Sequence, residues 1–259
     1  MTRLSAFMRY VWAVADAEIR KLRHDPWELL TRAVQPSLWL LVFGGVMGRV
    51  RELPTGGFAY VDFLVPGILA QSVLFVAIFY GISIIWERDL GILQKYLVSP
   101  APRTALVLGK AVSAGVRGLS QAVIVYVLAL FLGIATQFRP GAILGVIILI
   151  LLGSALFSTL SLIVACLVKT RERFMGIGQV LTMPIFFASN AIYPLSLMPT
   201  WLRTISVANP LTYQVDGLRA LMLQGGASAL SLELDFTVLV GTTTLLVLLA
   251  AGLYPRMVT

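Results

Sequence analysis

Charge is what this chain lacks most. Only 12% of its 259 residues are Asp, Glu, Lys or Arg, against roughly 25% in a soluble globular domain. The shortage is patterned. Residues 63–86, 118–138, 140–168, 174–202 and 236–255 contain no charged side chain, and each run is at least 20 residues long. A helix needs about 20 apolar residues to cross roughly 30 Å of hydrocarbon. Only helices and closed barrels can span lipid, because an unpaired backbone group costs several kcal/mol there. The runs are continuous, without the short alternating segments of a barrel strand, so a barrel is excluded. The chain reads as an all-α integral membrane protein.

Cysteine and histidine are each present once. Cys166 cannot form an internal disulfide and lies in an apolar run, where packing is its role. His24 has no second histidine with which to build a metal site. A nucleotide site is missing as well. Gly109-Lys110 is followed by Ala111 where a P-loop needs Ser or Thr, and Thr104 stands where its first glycine belongs. The chain is therefore expected to hold no cofactor or metal, and any ATP dependence must come from another chain. Proton- and sodium-coupled carriers place ionisable residues inside the membrane, yet only Arg32 and Arg117 approach a proposed span interior; snorkelling explains Arg32, and Arg117 either snorkels or serves a pathway. A membrane-embedded enzyme would need a nucleophile with a base, or paired carboxylates, at depth. The spans offer neither, so no catalytic residue is assigned.

What the chain has is positive charge in the connections. A net charge of +8 and a pI near 10.0 suggest nucleic acid in a soluble protein. In a chain this apolar, Lys and Arg set membrane orientation instead, and no nucleic-acid partner is expected. Residues 1–25 hold Arg9, Asp16, Glu18, Arg20, Lys21 and Arg23, which leaves no apolar core for a cleavable signal. Met8, Val11, Trp12, Ala15, Ile19 and Leu22 recur at helical spacing, with Asp16 and Arg20 as an i,i+4 pair. Residues 5–24 thus form an amphipathic helix lying in the interface against lipid headgroups. Six spans follow, at about 29–48, 62–86, 112–133, 140–168, 174–193 and 236–254. One side of these spans collects thirteen Lys and Arg and the other five, which places both termini in the cytoplasm.

Two connections carry the functional expectations. The cytoplasmic segment 87–111 opens with Glu87-Arg88-Asp89, continues as a short helix through Gly91, Leu93, Tyr96 and Leu97, and stops at Ser99-Pro100, with Arg103 beyond. A stiff projection between two spans offers a soluble partner something to grip. On the outer side, residues 194–232 hold apolar stretches too short to cross, broken by Pro194, Pro199 and Pro210. Asn209-Pro210 is a helix start and Gly225-Gly226 a stop. Two short helices, around 199–207 and 210–223, dip into the outer interface as either a gate or a plug.

These residues resemble a known family. Glu87-Arg88-Asp89-Leu90-Gly91 through Ser99-Pro100 and Arg103, Asn190-Ala191-Ile192-Tyr193-Pro194-Leu195 through Pro199-Thr200-Trp201-Leu202, and Asn209-Pro210-Leu211-Thr212-Tyr213 with Asp216-Gly217-Leu218-Arg219 are similar to the membrane subunit of type-two ABC exporters. That family includes drug-resistance, lipo-oligosaccharide and polysaccharide export permeases. The resemblance implies that residues 5–24 are an interfacial connecting helix, 89–97 a coupling helix docked on an ATPase, and 196–223 paired outer re-entrant helices. It implies two ATPase copies binding ATP and Mg, a second permease (identical or sibling), and a prokaryotic inner membrane. Glu87, Arg88 and Asp89 would brace the coupling helix, while Leu93, Tyr96 and Leu97 contact the ATPase. Phe186, Phe187, Asn190, Tyr193, Pro194, Trp201 and Tyr213 are the candidates for the path or its outer gate. Gly44 with Gly48 and Gly141 with Gly145 fit close packing at a path between two permeases. The substrate expected is amphipathic or lipophilic. A polysaccharide or lipo-oligosaccharide exporter, or a channel or scaffold without an ATPase, is the alternative.

Overall fold

The computed structural model describes residues 34–48, 57–91, 103–168 and 170–253, together with 9, 12, 13, 16, 20, 31 and 55. These residues are helical apart from their turns and one isolated bridge. Helix α1 covers Val34–Met47; α2 Tyr60–Asp89, α3 Arg103–Phe131, α4 Pro140–Leu167 and α5 Arg171–Phe187 follow. Two short helices, α6 Thr200–Ala208 and α7 Pro210–Met222, precede α8, Leu232–Leu253.

Among the described residues, four helices are long and apolar enough to cross a membrane: α2, α3 from Leu106, α4 and α8. The expected first and fifth spans appear as shorter helices. Within the described residues α1 reaches only from 34 to 47, and α5 has 17 residues. Helix α5 stops because the chain turns at Ala188, where Ser189 donates to the Phe186 carbonyl at 2.7 Å and accepts from the Ala191 amide at 3.3 Å. Three boundaries differ from the charge-gap reading. Helix α2 runs on through Glu87, Arg88 and Asp89, and α3 starts at Arg103, so helix extends into both ends of the segment read as the connection 87–111. Helix α8 starts at Leu232, ahead of Asp235, because that carboxylate is buried inside the protein. Most of the N-terminal helix expected at 5–24 lies outside the described residues, although the Asp16–Arg20 pair is present at 2.9 Å.

Helix α4 is the hub of the bundle and packs on α2, α3, α7 and α8. Its partner α2 has 30 residues, about 45 Å at 1.5 Å per residue, so it projects beyond the hydrocarbon. The two come together through small residues, as membrane helices do where backbones must approach. The Ser161 hydroxyl of α4 donates to the Ile78 carbonyl of α2. A Cβ at Gly81 would overlap that hydroxyl and come within 2.6 Å of the Phe174 ring. Of the paired glycines, Gly44, Gly48 and Gly145 sit against side chains of this same chain. Gly44 faces Val61 of α2 at contact distance, Gly145 faces Leu221 of α7, and Gly141 faces open space. Helix α1 contains a π-helical turn, Trp39–Phe43, a feature that often marks functional sites. It sets Trp39 edge-on to Phe43 and to Phe186, at 5.2 and 5.6 Å.

Candidate functional site

The C-terminal end of α2 is held from three sides. Glu87 pairs with Lys110 of α3, in a mostly buried contact. Arg88 donates from Nη1 to the Val168 carbonyl, at the end of α4, at 3.0 Å. Asp89 accepts two hydrogen bonds from Arg171 at the start of α5, from Nε at 3.2 Å and Nη2 at 2.9 Å. The Arg171 guanidinium also lies 3.8 Å from the Trp86 ring centre, a cation–π contact. The Asp89–Arg171 pair is too exposed to contribute much stability; its two donors converge on the one oxygen Oδ2 and fix the guanidinium's orientation instead. Immediately beyond, Gly91 takes φ +70° and its amide reaches the Arg88 carbonyl at 2.9 Å. This left-handed cap suits glycine and turns the chain sharply out of the helix. Side chains at this end of α2 thus join it to α3, to the end of α4 and to the start of α5. Leu93, Tyr96, Leu97 and Pro100 lie outside the described residues, and Arg103 is the first residue of α3.

The opposite end of the bundle is covered by α6, α7 and the turn at 188–197. Asn209 caps α7, accepting from the Leu211 amide at 3.0 Å, and donates to the carbonyls of Ile185 and Ala188 at 2.6 and 3.3 Å. It thereby joins α7 to the end of α5. Pro210 follows at the first helical position, where its missing N–H costs nothing. Tyr60 donates to the Ile192 carbonyl at 3.0 Å, tying α2 to the same turn. Across the bundle, Thr136 pairs with Leu223 in an isolated bridge, with Gln224 donating to Ala135 at 2.9 Å.

The path candidates fall into separate groups. Phe186 is fully buried against Trp39, while neighbouring Phe187 is exposed. Tyr193 donates to the Phe187 carbonyl, and Tyr213, buried on α7, donates to the Val207 carbonyl at 2.7 Å. Trp201 stands exposed on α6. Asn190 and Pro194 come together on the wall of a cavity of about 470 Å³, with Arg203, Asp216 and Arg219. Sequence reasoning named Asn190 and Pro194 as candidates but not the Arg203, Asp216 and Arg219 beside them. Arg219 is 7% exposed and Asp216 1%, one turn apart on α7. The Arg219 guanidinium lies 3.7 Å from the Phe63 ring centre and donates to the Asn190 carbonyl at 2.9 Å. Burial lowers the Arg219 pKa to about 10, opposed by the Asp216 charge, so it stays cationic at neutral pH. Asp216 accepts from Ser228 at 2.8 Å and the Leu230 amide at 2.9 Å, and the same hydroxyl lies 3.1 Å from Asp235. The available signal was the i,i+3 spacing of Asp216 and Arg219 on a capped helix, in a stretch read as outer surface.

Residues 9–223 match the family described as ABC-2 type transporter. The chain belongs to that family. DrrB1, the daunorubicin resistance ABC transporter permease protein of Streptomyces coeruleorubidus, is 27% identical over 238 residues, covering 85% of this chain and 76% of its own. The inner membrane transport permease YadH of Escherichia coli K12 is 26% identical over 198 residues, 74% of this chain and 73% of its own. The ycf38 protein of Cyanophora paradoxa is 29% identical over 220 residues, 83% and 74% of the two chains. The chain is thus an ABC-2 permease subunit and a multi-pass membrane protein, and the family implies an ABC transporter with an ATPase partner.

Proposed function

We propose that this ABC-2 permease is an exporter that moves an amphipathic or lipophilic molecule from the cytoplasm or inner leaflet to the outside. Two copies of a separate ATPase, binding ATP and Mg, drive two permeases in a prokaryotic inner membrane. The chain crosses six times with both termini in the cytoplasm, as its thirteen-to-five partition of Lys and Arg favours. The observation that carries the reading is the clamp at the root of 90–102: Glu87, Arg88 and Asp89 each bind a different helix. Closure of the ATPases against this segment would tilt α2 and α3 together, with α5 following through Arg171. The outer end answers because α2 is also tied there, through Tyr60 and Phe63. The drug-resistance name of DrrB1 favours a drug-like amphiphile over a polysaccharide.

Efflux of a fluorescent cationic amphiphile from cells expressing the permease with its ATPase tests the proposal. Tyr96→Asp places a charge on the expected docking face and should abolish energy-dependent efflux while membrane insertion stays normal. Undiminished efflux in that variant would remove the coupling role of the segment.

A further inference from the structure

The outer cavity has a chemistry that export alone does not require. Its wall carries two guanidinium groups, from exposed Arg203 and buried Arg219, against one carboxylate, Asp216. Asp216 already has two hydrogen-bond donors. Arg219 is only partly satisfied. One terminal nitrogen reaches the Asn190 and Phe63 carbonyls, at 2.9 and 3.4 Å, and its flat face covers the Phe63 ring. Its Nε–H is buried with no hydrogen-bond partner, and the Asn190 side-chain oxygen is in the same condition. Buried polar groups are almost always paired, and an unpaired donor on a cation is the most costly kind. An amide can present either its oxygen or its N–H by a half-turn. Two guanidinium side chains and an amide side chain thus share the wall of a space roomy enough for a headgroup, with Phe63 and Leu230 among its apolar parts.

We propose that this cavity binds one anionic group, a phosphate or carboxylate, held by Arg203 and Arg219. The group belongs either to an amphiphile in the outer leaflet or to a free anion. The site is complete within one chain, so it depends on neither the ATPase nor a second permease. An export defect would leave it standing.

The full-length chain, delipidated in detergent, is mixed with dioleoyl phosphatidylglycerol, dioleoyl phosphatidylcholine or inorganic phosphate. Native mass spectrometry then counts the adducts of each separately. Two variants sit at exposed positions where folding should be preserved: Arg203→Gln removes a charge, and Ala229→Trp fills the mouth. Phosphatidylglycerol should be retained in preference to phosphatidylcholine and weakened about tenfold or more in both variants, the effect of losing one charge-assisted contact. A lipid adduct with that dependence identifies a headgroup site, and a phosphate adduct alone with that dependence identifies a free-anion site. Retention unchanged by Arg203→Gln, equal retention of the two lipids without a phosphate adduct, or no adduct at all overturns the proposal.

Discussion

Removing the Lys110 ammonium would leave Glu87 without a counter-charge in a largely buried position, where its second carboxylate oxygen already has no partner. Breaking a buried pair from one side costs about 3–5 kcal/mol, whereas replacing both partners is much milder. Lys110→Met should therefore lower the thermal unfolding midpoint in detergent, and adding Glu87→Gln should recover most of the loss. Midpoints that simply add would show the pair to be uncoupled. At this scale the local pairs were legible. The Asp16–Arg20 spacing and the Asn209-Pro210 start both follow from rules acting within one turn of helix. Arg219 was not legible, because its burial comes from Phe63 and Asn190, which lie more than a hundred and about thirty residues away.

Helices α2 and α4 meet where side chains are smallest. Gly81→Leu would drive a branched side chain into Ser161 and Phe174, and overpacking typically costs about 1–3 kcal/mol or more. Gly241→Leu makes the same change on the outside of α8, where a Cβ meets nothing within 4 Å. Yield of folded protein and unfolding midpoint should fall clearly for Gly81→Leu and hold for Gly241→Leu. Equal behaviour would show that the crossing tolerates bulk. The apolar bodies of α2, α3, α4 and α8 were readable from gaps between charges, since lipid permits no charge there. Their ends were less so. Glu87–Asp89 look like loop residues until Lys110, Val168 and Arg171 are seen to hold them in the helix. Asp235 looks like a boundary until Ser228 is found beside it. The π-helical turn at Trp39–Phe43 has no compositional mark at all.

In the whole molecule, the two ends of the bundle are built differently. The end that holds Glu87, Arg88 and Asp89 is charged and cross-braced. The opposite end is covered by α6 and α7, with a cavity walled by Arg203, Asp216 and Arg219. On the proposed function, that polarity is what a permease driven from one side by a partner ATPase requires. Affinity purification of the tagged chain in mild detergent, with mass spectrometry of what accompanies it and an ATPase assay of the eluate, tests this most directly. The account predicts a stoichiometric P-loop protein, with hydrolysis lost when residues 89–97 are substituted. The chain recovered alone, with no ATPase in any of several detergents, would contradict it.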